Sequence, residues 1–288
     1  MSRLRWRWEE KDFGFRYRAG SGRRAAEHYQ GASPGDFYVV PTSQRKLAKS
    51  RADELARRAA TPQSAVVVAN PWNDYHRDWD WIVGPDGILI NYAGCLDQDE
   101  LNRREDEGVA RAMELISDLV ALAVPARLTV SLVQQVHREL LGEIYPFAGA
   151  WRTVELHKGA GPTKWPLPPG GIEPMMGIFD RDVLTRSPVI ADDDATVVAF
   201  AAEVMGEFIA IHPFREGNGR TAFILGNLIL MQNGLLPLDV YDRQRDQTRY
   251  FAACEAARVR ADYVPLASLI SEWEGAAMDR WEAIHGEE

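Results

Sequence analysis

The residues with the most chemical content stand in one nine-residue string, His212-Pro213-Phe214-Arg215-Glu216-Gly217-Asn218-Gly219-Arg220. A neutral histidine can take the proton of an attacking hydroxyl. Glu216 offers a hard oxygen ligand suited to a magnesium ion, Mg²⁺, that bridges phosphates. Gly217 and Gly219 flank Asn218 directly before a helical pattern, so backbone N–H groups can converge there on an anion. Arg220, one turn into that helix, can neutralise a second phosphate. Each part alone has a plainer explanation, since a histidine after an apolar helix can cap it and Gly-Asn-Gly makes a turn. Base, metal ligand, anion nest and counter-cation within nine residues together describe transfer from a nucleotide phosphate, not acyl transfer or redox chemistry. Phe214 offers no chemistry and is expected to anchor the loop in the core.

The elements that must hold this string are helical. Pro213 cannot continue a helix, so the apolar pattern running from about Asp194 to Ile211 must break where His212 stands, and a second pattern runs from Gly219 to Asn233. Further helices are expected from Asp97 or Asp99 as a cap, with Val109, Met113, Ile116 and Leu119 on the apolar face, and over 129–141, 174–185, 243–258 and 263–284. Between Tyr145 and Pro169 the sequence turns to Gly, Pro and β-formers; Trp151–Leu156 and Trp165–Leu167 are expected to pair as a hairpin flap. Residues 1–88 show no sustained period and are expected to be a mixed accessory region, with a helix near 44–60, an apolar run at 65–69 and a strand pair over 79–91. The expected architecture is therefore mainly α, a helical domain over 89–288 with one small β-hairpin.

A chain of 288 residues that is 46% hydrophobic can bury one catalytic domain with a smaller accessory part. Cys95 and Cys254 are too few for a disulfide scaffold or a zinc cluster and are expected to be structural thiols in a reducing compartment. The formal charge of -9 argues against general nucleic-acid binding. Residues 1–60 nevertheless hold 14 Lys and Arg against 7 Asp and Glu, a surplus of +7 that leaves the remainder at -16, so the simplest expectation is a basic segment docked on an acidic body. No apolar stretch approaches the ~20 residues that span a bilayer, and the basic, aromatic N-terminus has no continuous apolar core for signal recognition. The expected setting is the cytoplasm, with no membrane and no nucleic acid as partner; delivery by a non-classical secretion machine leaves no trace in a sequence.

The string HPFREGNGR resembles the signature of the Fic/Doc family. The resemblance continues in His137-Arg138-Glu139-Leu140, Tyr145-Pro146-Phe147-Ala148-Gly149 and Arg152-Thr153-Val154, over roughly residues 88 to 270. It implies a bundle of helices with a β-hairpin flap, and AMP transfer from ATP to a Ser, Thr or Tyr hydroxyl of a target protein. His212 would be the base and Glu216 would hold Mg²⁺. Gly217, Asn218 and Gly219 would form the anion hole, and Arg220 would stabilise the pyrophosphate. The flap residues Val154, Glu155, Leu156, His157 and Lys158 would offer an open strand edge to which a target segment adds by main-chain hydrogen bonds.

Two departures matter. The second arginine of the usual signature is Phe223 here, and that arginine contacts the γ-phosphate and pairs with an inhibitory Glu in Fic enzymes. The inhibitory pattern itself is met nowhere in full; Glu107-Gly108, with Arg103 in the Ser position, is one near miss. An inhibitory partner protein is therefore a further expectation, with a toxin-like character. Arg220-Thr221-Ala222-Phe223 also resembles Doc proteins, which transfer the γ-phosphate, but these carry Lys where this chain has Gly219. A Doc-like kinase and a non-catalytic binding module stand as alternatives.

Overall fold

The computed structural model describes residues 4–11, 14–19, 89, 91, 93–95, 97–157, 164–238 and 243–285. Strands β1 (Leu4–Lys11) and β2 (Gly14–Ala19) form an antiparallel hairpin, with Leu4 opposite Ala19, Lys11 opposite Gly14, and a register shift between Arg5 and Glu9. No strand was expected here. The signal passed over is the apolar–basic alternation of Leu4-Arg5-Trp6-Arg7-Trp8 and Phe15-Arg16-Tyr17-Arg18, a period of two. The helix expected near 44–60, the apolar run at 65–69 and nearly all of the strand pair at 79–91 lie outside the described residues.

The rest is helical: α1 (Gln98–Val120), α2 (Val130–Leu141), α3 (Glu173–Asp182), a 3-10 turn (Leu184–Arg186), α4 (Asp194–Ile211), α5 (Asn218–Gln232), α6 (Arg243–Arg260) and α7 (Val264–His285). The starts follow from side-chain caps. Asp97 accepts the Glu100 N–H at 2.8 Å, Thr129 that of Leu132 at 3.1 Å and Asp193 that of Thr196 at 2.8 Å, each contributing about 1 kcal/mol. Helices α4 and α5 are apolar nearly all round and so take the centre. Helices α6 and α7 pack on α4, while α1 and α2 cover α5. This places the α4–α5 junction, and with it the nine-residue string, at the heart of the bundle. Cys95 and Cys254 are both buried.

The flap is smaller than expected. Strand β3 is Leu156–His157 and β4 is Lys164–Trp165, paired antiparallel with Leu156 opposite Trp165 and His157 opposite Lys164. Residues 151–155, expected as strand, are irregular because their polar groups are committed elsewhere. The Arg152 N–H donates to the Pro213 carbonyl at 2.8 Å, and the Val154 carbonyl accepts from the Arg152 side chain at 2.6 Å.

Candidate active site

Helix α4 ends on His212, which takes a left-handed conformation, φ 52° and ψ 60°, at a cost of about 1 kcal/mol for a residue with a Cβ. Its N–H still closes the helix on the Phe208 carbonyl at 2.8 Å. The imidazole Nδ1 lies 3.3 Å from the Ile209 carbonyl, a contact that favours a proton on Nδ1; in the neutral ring Nε2 is then the acceptor, the form a base requires. The ring stacks on Trp165 with centroids 3.9 Å apart and planes 21° apart.

Phe214 is fully buried and stacks on His137 at 3.7 Å, as expected of an anchor. The Asn218 side chain has a role of its own, beside the one expected of its backbone. Its Oδ1 accepts the Phe214 N–H at 2.9 Å and its Nδ2 donates to the Phe214 carbonyl at 2.8 Å, so the side chain staples the loop and only its backbone N–H can face an anion. Gly217 starts α5 with φ 77°, and a Cβ there would lie 2.7 Å from Leu141 Cδ1. A Cβ on Gly219 would meet nothing within 4 Å. The first turn of α5 thus combines N–H groups that the helix cannot pair, the positive end of its dipole and open space.

Glu216 accepts the Gly217 N–H at 2.9 Å, and its side chain is 41% exposed. Among the described residues no three His, Cys, Asp or Glu side chains gather as a resident metal site. One exposed carboxylate suits a magnesium ion that draws its remaining ligands from phosphates and water. Arg220 spans two carboxylates, with Nη1 2.7 Å from Glu105 of α1 and Nη2 3.5 Å from Glu216. Burial opposes its charge, but the hydrogen bond and charge of Glu105, then the charge of Glu216, hold its pKa above the ordinary value. The Tyr145 hydroxyl donates to Glu105 at 3.4 Å.

Beneath the loop, His137 is wholly buried. Its Nδ1 accepts the Gly149 N–H at 2.7 Å, and Nε2 lies 2.8 Å from the Glu216 carbonyl, to which it donates. A proton on Nδ1 would oppose an N–H donor, and burial pushes the pKa down to about 4. The unfolded chain therefore takes up the proton first as pH falls. The stabilisation is complete above about pH 6.5 and is lost between there and pH 4, by about 3 kcal/mol. Thermal melting followed from pH 7 to 4 should show this loss, and His137→Gln, which keeps one acceptor and one donor, should flatten that part of the curve. An unchanged profile in the variant would show that other groups govern acid sensitivity.

The flap residues named from sequence divide. Leu156 is buried, Val154 is half-buried and Glu155 is exposed, while Lys158 lies outside the described residues. His157 stands in β3 opposite Lys164. Four residues were passed over in the sequence: Glu105, His137 as a support of the loop, Arg152 and Trp165. Only an unpaired polar residue in an apolar helix pattern, as at His137, could have flagged one of them.

Residues 127–230, from the start of α2 through the flap and the loop into α5, match the model of the Fic/DOC family. Those residues are similar to a Fic domain. The protein adenylyltransferase Fic of Nematostella vectensis is 29% identical over 52% of this chain, and that match spans about a third of the relative's length (33%). The fold is similar to that of a Bartonella tribocorum effector, BepC, solved with bound AMPPNP, with a TM-score of 0.51 at 18% identity over 69% of this chain and 97% of that one. It is also similar to Fic-1 of C. elegans, with a TM-score of 0.51 at 20% identity over 84% and 72%. Glu105 of α1, and helices α6 and α7, lie outside the matched Fic residues. No helix among the described residues is long and apolar enough to cross a membrane.

Proposed function

We propose that this chain is a Fic-type enzyme that transfers AMP from ATP to a Ser, Thr or Tyr hydroxyl of a target protein. The observation that carries the reading is His212, held with Nε2 as acceptor, at the junction with the open N-terminus of α5. The target hydroxyl oxygen attacks the α-phosphorus and its proton passes to His212 Nε2. The bond from the α-phosphorus to the oxygen bridging to the β-phosphate breaks, and pyrophosphate leaves. Backbone N–H groups of Asn218 and Gly219, joined by that of Gly217 once the Glu216 carboxylate turns from it to the metal, receive the charge that develops on the phosphate oxygens, and Arg220 neutralises the departing pyrophosphate. Glu216 would hold a magnesium ion, which supplies positive charge to the phosphates. The curated relatives named protein adenylyltransferase support this chemistry, and the open space at Gly219, where Doc proteins carry Lys, supports the AMP-transferring orientation.

Phe223 favours keeping a second reading in view. It lies against Tyr250 and Trp273, with ring centroids 5.1 and 5.6 Å away, so a γ-phosphate would find an aromatic cluster at the position of the usual arginine. The deciding experiment supplies Mg²⁺ and ATP labelled at the α- or the γ-phosphate to the purified chain with a cell lysate. Label from the α-position alone on protein supports AMP transfer. Label from the γ-position alone makes this a Doc-like kinase, and nucleotide binding with neither label transferred makes it a binding module.

Glu105 competes with phosphate for Arg220. Glu105→Gln keeps an acceptor beside Nη1 but removes the charge, and is expected to tighten ATP binding, by up to about tenfold, in titration calorimetry. Weaker binding would mean that Glu105 serves to aim Arg220 and not to oppose the ligand.

A further inference from the structure

A helix C-terminus leaves carbonyls that its own backbone cannot satisfy, and Pro213 brings no N–H to help. At the end of α4 the flap supplies the donors. Arg152 is buried at 4% exposure, and its guanidinium reaches four carbonyls: His212 from Nε at 2.7 Å, Val154 from Nη1 at 2.6 Å, and Pro166 and Ile211 from Nη2 at 3.1 and 3.4 Å. Val154 precedes β3 and Pro166 follows β4, so one side chain ties both arms of the hairpin to the end of α4. Burial lowers the Arg152 pKa to about 10, which leaves it charged at neutral pH against the negative end of the helix dipole. Trp165 completes the arrangement. Its Nε1 donates to the Ile209 carbonyl at 3.0 Å, the same oxygen that faces His212 Nδ1, and its ring covers the imidazole.

We propose that Arg152 and Trp165 are positioning residues that lock the rotamer and tautomer of His212, making the flap the element that aims the catalytic base. Arg152 fixes the backbone of the residue that bears the imidazole, in a conformation that L side chains rarely adopt. Trp165 fixes the carbonyl that selects the Nδ1–H tautomer and closes one face of the ring, so Nε2 has one direction in which to point. The planar fork of Arg152 serves four acceptors at once, which the single ammonium of a lysine cannot. This inference rests on the reading of His212 as the base.

The test uses the full chain labelled with ¹⁵N-histidine, with the imidazole tautomer of His212 read from long-range proton–nitrogen correlations and assigned against a His212→Asn sample. The native chain should show one tautomer, protonated at Nδ1. Trp165→Phe keeps the stack but loses the donor, and Arg152→Lys keeps the charge but loses the fork. Both should show mixed tautomers, with kcat lowered by about 10²-fold and the KM for ATP within about twofold. Trp165→Phe carries the test alone should Arg152→Lys fail to fold. A native tautomer in the cooperatively folded variants overturns the proposal. The tautomer is read without turnover, so a chain that transfers no nucleotide yet shows the tautomer shift would refute the transferase reading and leave the positioning role standing.

Discussion

Replacing His212 by asparagine is expected to lower transfer from the α-phosphate of ATP by about 10²- to 10⁴-fold, with ATP binding within about twofold of native. Asparagine is the informative substitution because His212 sits at φ 52°. Asparagine tolerates the left-handed region better than other residues with a Cβ, so the end of α4 should survive the loss of the imidazole. The phosphate contacts proposed here come from Glu216, Arg220 and the first turn of α5, none of which the substitution touches. Single-turnover transfer and titration calorimetry on the same sample separate the two effects. Activity within tenfold of native would mean that another group removes the proton, whereas lost ATP binding would mean that the loop had collapsed and the base was not tested.

Gly108→Ala should be the most destabilising small substitution in the bundle. Gly108 lies where α1 crosses α2, and a Cβ there would fall 1.8 Å from the Leu140 carbonyl oxygen and 2.8 Å from its carbon. These are backbone atoms within a helix, so no rotamer change relieves the overlap and the two helices must separate. Forced overpacking of this kind costs about 3 kcal/mol, enough to lower Tm by roughly 10 °C. Glu105 lies one turn earlier on α1, so the displacement should also loosen its pairing with Arg220. Gly177→Ala is the matched control: that position lies within α3 with nothing within 4 Å of the added methyl, and the gain in helix propensity should stabilise by about 0.5–1 kcal/mol. Equal melting temperatures for the Gly108 variant and the native chain would refute the close-crossing account. In the sequence, Gly108 stood out only as part of an incomplete inhibitory pattern; its role is to let two helices touch.

The helices of the bundle were legible because their starts are written locally. Asp97 caps α1 as expected, Thr129 and Asp193 cap helices whose starts were placed within a residue of where they fall, and Pro213 marks the end of α4. The flap strands were overextended because β-formers at 151–155 describe propensity, while the bonds of Arg152 and Val154 decide what the backbone does there. The hairpin at 4–19 shows the opposite error: its alternation was present but went unread among turn-rich neighbours.

The sequence by itself determined which groups His212, Glu216, the glycines and Arg220 offer, because imidazole, carboxylate, two glycines and a guanidinium sit within nine residues, and their types are what the phosphate-transfer proposal rests on. Only the tertiary structure decided what faces the His212 imidazole, that the Asn218 side chain staples the loop, that Glu105 shares Arg220, and that Arg152 and Trp165 reach the end of α4 from 60 and 44 residues away. Such contacts are made by packing between distant elements, and the type of a residue says what it can bond to but not what the fold will bring within reach.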